Sequence, residues 1–184
     1  MYSFLEQLRA TCEARKIPLI SRETQAFLGD LLVIKQPKRV LEIGAAVGYS
    51  ALCMANIVQA WEGSVSSFEI GYTAYLEALK NIKEAKQRNI TLYPFDINEI
   101  VLEKFFSEKF DFVFIDAQKS QYGEYMEKIQ QHLHPENTLL LDDIIKYQNK
   151  LDSLYGFIEK KQIDYQIFPM EEGDGVMLIE NLVK

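Results

Sequence analysis

From Arg39 onward the chain alternates short, nearly continuous apolar runs with longer amphipathic segments, and this rhythm restricts its fold more than any other feature. RVLEI (39–43), SVSSFEI (64–70), ITLYPF (90–95), FDFVFID (110–116) and TLLLD (138–142) read as strands. TAYLEALKNIKEAKQ (73–87) and SQYGEYMEKIQQHL (120–133) read as helices between them. Strands apolar along their whole length are buried on both faces, which calls for a parallel sheet covered by helices on either side. After a helix around 149–161 the rhythm changes. DYQIFPM (164–170) and GVMLIEN (175–181) are separated only by EEGD, a hairpin connection too short for a crossover. The expected fold is therefore α/β: a Rossmann-like, doubly wound, seven-stranded sheet, mostly parallel with an antiparallel C-terminal strand.

Upstream of this pattern, Phe4, Leu5, Leu8 and Cys12 fall at helical spacing. A second helix is expected after Ser21, whose hydroxyl can cap free N–H groups, with Phe27, Leu28, Leu31 and Leu32 on its buried face and Pro37 ending it. With 48% hydrophobic residues and no linker or repeat, the 184 residues suit one domain, with a short helical cap over about 1–36. There is no charged and apolar leader and no uninterrupted apolar run of membrane length, so a soluble cytoplasmic protein without membrane contact is expected. Cys12 and Cys53 are too few and too isolated for a disulfide framework or zinc site, and are expected to be buried. The net charge of −7 argues against general nucleic-acid binding. His132 and His134 read as helix-end residues, where a cation is favourable, and KNIKEAKQR (80–88) as a solvated helix face.

VLEIGAAVGYSALCMA (40–55) passes from strand to helix through Gly44 and Gly48. The G-x-x-x-G spacing is neither the dinucleotide fingerprint nor a P-loop, so a phosphate cradle is disfavoured. Open parallel sheets bind ligands beyond the carboxyl ends of their strands, and Glu69, ending the second strand, is placed to accept both hydroxyls of a ribose. Glu42, two residues before the first glycine, suits a cationic ligand. S-adenosylmethionine meets these demands: it carries a sulfonium and an amino group, offers a ribose and has no phosphate. The same residues also suit a plain tight turn in which Glu42 caps backbone or pairs with a lysine.

Asp116, Asp142 and Asp143 end the fourth and fifth strands on the same edge. Three converging carboxylates repel one another unless protonated or joined by a cation, and a hard divalent ion such as Mg²⁺ takes oxygen ligands of this kind. Helix capping and solvated turns are the other reading of the same residues. Lys119, three residues after Asp116, belongs above this edge or on the plain surface.

Taken together, VLEIGAAVGYSA (40–51), the acidic end of VSSFEI (65–70), FDFVFIDAQKSQY (110–122), LLLDDI (139–144) and GDG (173–175) make the sequence resemble the cation-dependent class I O-methyltransferases of the catechol and caffeoyl-CoA type, in their bacterial branch. The resemblance covers about residues 17 to 181. It implies that Glu42, Gly44, Ala45, Gly48, Tyr49, Ser50 and Glu69 line the S-adenosylmethionine site, with Asp96 near adenine and Asp116 beside the cofactor. It further implies that Asp116, Asp142 and Asp143 hold a divalent cation, Mg²⁺ with Mn²⁺ or Ca²⁺ as substitutes, and that Lys119 is the base. The chain departs from the family pattern in four places. Asp143 stands where asparagine is usual and Phe95 where glycine is usual, the segment after Asp143 is short, and the N-terminal helical region, which helps form dimers in the family, is abbreviated. The implied activity is O-methylation of a small hydroxylated, catechol-like molecule. A transfer RNA hydroxyuridine methyltransferase, disfavoured by the acidic charge, and a noncatalytic S-adenosylmethionine-binding protein are the alternatives. A homodimer fits the family.

Overall fold

The computed structural model describes residues 1–170 and 173–183. Two helices, α1 (Tyr2–Arg15) and α2 (Arg22–Lys35), precede β1 (Arg39–Ile43), α3 (Tyr49–Val58), β2 (Ser64–Phe68), α4 (Tyr72–Glu84) and β3 (Ile90–Tyr93). Then follow β4 (Phe110–Ile115), α5 (Tyr122–Ile129), β5 (Leu133–Leu141), α6 (Asp152–Lys161), β6 (Gln166–Pro169) and β7 (Gly175–Glu180). The seven strands form one sheet in the order β3-β2-β1-β4-β5-β7-β6. β1 to β5 pair in parallel, while β7 lies antiparallel to both β5 and β6. The expected antiparallel strand is thus present. Of the EEGD connection before it, Glu171 and Glu172 lie outside the described residues.

Period-two alternation divides the strand residues between two apolar clusters, one on each face of the sheet. Val40, Val65, Phe112, Phe114, Leu140 and Val176 pack with α1, α2 and α3. Leu41, Ile43, Val113, Ile115, Leu139, Leu141, Met177 and Ile179 pack with α5 and α6. Ser21 caps α2 as its position predicts, its hydroxyl accepting the Thr24 N–H at 2.9 Å. Cys12 and Cys53 are both buried and unpaired.

Several boundaries differ from the sequence reading. β5 begins five residues before Thr138, because residues 134–137 bulge from the ladder between the Phe110–Leu133 and Phe112–Thr138 pairs. Asn137 closes that bulge by donating to the His134 carbonyl at 2.7 Å and accepting the Leu182 N–H at 3.1 Å. His134 consequently sits in a strand, whereas His132 ends the turn after α5 and faces Glu103 at 3.3 Å. Among the described residues no helix is long and apolar enough to cross a membrane.

Candidate cofactor and acceptor site

The first turn of the site is shaped by a close approach of backbones. Asp116 N–H donates to the Ile43 carbonyl at 2.9 Å, which brings the end of β4 against the start of the glycine turn. A Cβ on Gly44 would stand 2.0 Å from the Asp116 carbonyl oxygen, and Gly44 adopts φ +99°, so no side chain fits. Gly48, at φ +82°, caps α3 and lies against Ala78 of α4. Between them Ala46 takes φ +46°, an uncommon conformation for a residue with a Cβ.

Glu69 holds that conformation in place. Its Oε2 accepts the Ala46 N–H at 2.7 Å and its Oε1 accepts the Gly71 N–H at 2.6 Å, so one carboxylate fastens the turns after β1 and β2 together. Each oxygen keeps a further lone pair, enough to receive a ribose hydroxyl. Glu69 borders a cavity of about 210 Å³ with Gly44, Ile70, Phe95, Asp96 and Tyr125. Asp96 also caps the short helical turn that follows it, accepting the Asn98 N–H at 2.8 Å. Beyond Gly44 lies a second cavity of about 150 Å³, between the α1–α2 loop (Pro18, Leu19, Ile20) and Ala45, Tyr49 and Ser50.

Glu42 lies beneath this turn, fully buried, with β2's Ser67 donating to its Oε2 and no hydrogen-bond partner on Oε1. Burial pushes its pKa up to about 7, against the opposing influence of the Ser50 and Ser67 hydroxyls. Neither Glu42 nor Gly48 lines either of these two cavities; both shape the floor and hinge of the turn.

The third cavity, about 480 Å³, is lined by Asp116, Asp142, Asp143 and Asp174, by Lys146 and Tyr147, and by Arg9, Glu13 and residues of the α1–α2 loop. Lys119 joins the acids: its Nζ donates to Asp116 Oδ1 at 2.7 Å and to the Tyr122 hydroxyl at 2.9 Å, and lies 2.8 Å from Asp143 Oδ2. Burial draws the lysine's pKa down, but the charges of Asp116, Tyr122 and Asp143 outweigh it and hold the ammonium above the ordinary lysine range. Asp142, only 6% exposed, accepts the Asp143 N–H at 3.0 Å, and burial beside Asp116 and Asp143 pushes its carboxyl strongly up.

Asp143 sits at φ +62°, a region asparagine and aspartate tolerate better than other residues with a Cβ. Burial and a hydrogen bond with Asp174 raise its pKa. Burial would raise Asp174 too, but the bond from Asp143 and the N–H groups of Gly175 and Lys146 hold it down. Asp143 is therefore the weaker acid of the hydrogen-bonded Asp143–Asp174 pair.

Sequence reasoning thus brought Asp116, Lys119, Asp142 and Asp143 to one wall and Gly44, Ala45, Tyr49, Ser50, Glu69 and Asp96 to the adjoining cavities. It did not anticipate the Lys119 ammonium lying between the acids. Among the described residues no three His, Cys, Asp or Glu side chains are gathered as a metal-binding group. The donor chemistry nonetheless fits a hard cation: carboxylate oxygens from the ends of β4 and β5 border one cavity and crowd one another. Arg9 was missed altogether. Its signal was present, a charged residue on the same helical stripe as Leu5, Leu8 and Cys12.

With this geometry in view, the family model for O-methyltransferases matches residues 2–182. The chain belongs to the O-methyltransferase family. It is 32% identical over 142 residues to a caffeoyl-CoA O-methyltransferase of Populus kitakamiensis, covering 75% of this chain and 57% of the relative. A catechol O-methyltransferase of Niastella koreensis is 31% identical over 137 residues, covering 72% and 61% respectively. The chain thus spans little more than half the length of these curated relatives. The crystal structure of an O-methyltransferase from Bacillus cereus in complex with SAH superposes with a TM-score of 0.81 over 97% of this chain and 90% of that one, at 22% identity. That likeness establishes the fold as the one these O-methyltransferases use.

Proposed function

We infer that this chain is an S-adenosylmethionine-dependent O-methyltransferase that acts, with a divalent cation, on a hydroxyl of a small catechol-like molecule. One observation carries the reading. Asp116 borders all three cavities, so it stands where a cofactor spread over the two smaller ones meets an acceptor in the acid-lined third. The smaller cavities suit this cofactor's chemistry. The first pairs apolar Ile70 and Phe95 with the Glu69 carboxylate, as a base and its ribose require. The second is lined by Ser50, whose hydroxyl acts on the buried Glu42 carboxyl behind it, so an ionised Glu42 would favour a cationic amino acid end there. The relatives' names, catechol and caffeoyl-CoA O-methyltransferase, support the acceptor class.

S-adenosylmethionine, when bound, supplies a methyl group on a positively charged sulfur. Asp116, Asp142 and Asp143 would hold the divalent ion, whose chemistry is to favour the ionised form of a hydroxyl. Lys119 is the candidate proton acceptor: burial makes its neutral form accessible once the charges of Asp116 and Asp143 are otherwise engaged. The packed glycine turn and the strand ends fix the relative positions of the two reactants. Holding reacting groups in line is worth roughly 7–11 kcal/mol in well-oriented systems. A cytoplasmic location suits the two reduced, buried cysteines.

Calorimetric titration of S-adenosylmethionine into metal-free and Mg²⁺-loaded protein tests the cofactor, and methyl transfer to a simple catechol and to bulk transfer RNA tests the acceptor. Binding with metal-dependent transfer to catechol is expected. Transfer to RNA alone would replace the acceptor, binding without any turnover would leave a cofactor-binding protein, and no binding would remove the reading.

A further inference from the structure

Among the described residues Arg9 is a charge inside the protein whose nearest counter-charge, Glu13, stands 3.9 Å away. It is 5% exposed on α1, yet its hydrogen bonds go only to neutral groups. Nε donates to the Tyr49 hydroxyl at 3.0 Å, and Nη2 donates to the Ile20 carbonyl at 3.0 Å and to Gln25 Oε1 at 2.9 Å. Tyr49 in turn donates to the same Gln25 oxygen at 2.8 Å, and burial raises its pKa, so it remains a neutral phenol. Nη1 makes no hydrogen bond among the described residues. Among the described residues the one carboxylate within 4.0 Å of it, Glu13 at 3.9 Å, is itself largely exposed. Buried guanidinium groups are ordinarily paired with carboxylates through two parallel N–H donors, and burying an unpaired charge is costly.

The place of this unfilled cation gives it a meaning. Arg9 borders the 480 Å³ cavity that Asp116, Asp142 and Asp143 also line, together with the exposed Glu13, and it is not among the residues around the cavity at Tyr49 and Ser50. Of the other cations on the same cavity, Arg22 is engaged by both Glu6 oxygens at 3.1 and 3.0 Å, and Lys146 stands exposed beside the Tyr147 ring. Arg9 is thus the buried cation among the described residues that line this cavity. A ligand with a carboxylate at one end is repelled by the strand-end acids and received by Arg9, which leaves its other end at Asp116.

Building on the function proposed above, we propose that Arg9 is the anion-recognising residue of the acceptor cavity and that the acceptor is a small hydroxylated aromatic acid, its carboxylate on Arg9 and its hydroxyl at the Asp116 and Asp143 end. Arg9 acts on specificity and takes no part in methyl transfer. Its bonds to Tyr49 and Ile20 also tie it to the glycine turn and the α1–α2 loop, so the guanidinium is fixed before the ligand arrives.

The test compares 3,4-dihydroxybenzoate with its methyl ester on the wild-type protein saturated with SAH, by calorimetry, and in parallel by methyl transfer from S-adenosylmethionine with Mg²⁺. The acid should bind at least tenfold more tightly than the ester, and its advantage in kcat/KM should lie in KM. Arg9→Gln should bring the acid down to the affinity of the ester, and Arg9→Lys should restore part of the preference. Equal wild-type affinity for acid and ester overturns the inference whether or not the variant folds. So does an Arg9→Gln protein that loses SAH affinity as much as acid affinity, since the guanidinium would then serve the cofactor's carboxylate. Failure of the wild type to bind SAH, in contrast, would count against the cofactor reading itself, and the binding comparison repeated on the ligand-free protein would still decide the role of Arg9.

Discussion

Glu42 is the residue on which cofactor and stability pull in opposite directions. Its carboxyl ionises near pH 4.5 in the unfolded chain and near 7 when folded. Below pH 4.5 both forms are neutral and the full stability is present. As pH rises through 7 the folded protein must ionise a buried group, and up to about 3 kcal/mol is lost over that window. Glu42→Gln should therefore raise the melting temperature of the ligand-free protein at pH 8, leave it nearly unchanged at pH 4, and weaken S-adenosylmethionine binding at least tenfold in calorimetry. An unchanged affinity would mean that the unpartnered oxygen does not face the cofactor's cationic end. Asp142→Ala separates the other half of the site. Metal-stimulated turnover should vanish in a chelator-controlled assay while SAH affinity stays within a few-fold, and wild-type turnover in the chelated parent enzyme would dismiss the cation. At this scale sequence alone placed the acids and the glycines, because their positions follow from strand ends. It could not show that Glu69 fastens Ala46, or that Arg9 meets Tyr49 and Ile20, since those partners are brought together only by the packed helices.

Among the elements, the α5–α6 pair leaves no room for added volume at its contact. A Cβ on Gly123 would lie 2.1 Å from the Ser153 carbonyl oxygen, and Ser153 also accepts the Gly123 N–H and donates to the Ser120 carbonyl at 2.7 Å. Gly123→Ala should destabilise the protein by about 2–3 kcal/mol in urea titration, because backbone rather than a flexible side chain would have to move. An unchanged denaturation midpoint would show that α6 can slide. The strands were readable because their apolar runs are nearly continuous. β5 was read too short because Pro135, Glu136 and Asn137 interrupt its apolar run, and only the bulge geometry reveals that pairing resumes on both sides. Phe95, 40% exposed, is likewise explained by its neighbours: its ring stands 5.8 Å from Phe105, and it borders the cavity that Ile70 and Asp96 also line.

For the whole molecule, ligand binding and folding should be linked. SAH at one hundred times its dissociation constant should add about 2.7 kcal/mol to stability, a rise of roughly 5–10 °C in melting temperature for a chain of this size. With a net charge of −7, bulk transfer RNA at near-physiological salt should give no such shift. A salt-sensitive stabilisation by RNA would instead point to a local basic surface. The strand order carries a further consequence for biosynthesis. β6 is paired only with β7, and β7 lies between β6 and β5, so β6 leaves the ribosome before the strand that joins it to the sheet. Until β7 follows, the edge of β5 is bare, and the Gly175 carbonyl that receives Ile144 N–H and the Asp174 partner of Asp143 are both missing from the acid wall. A stalled nascent chain ending before residue 173 would thus hold a nearly complete sheet, an open edge suited to wrong pairing, and an unfinished acceptor site.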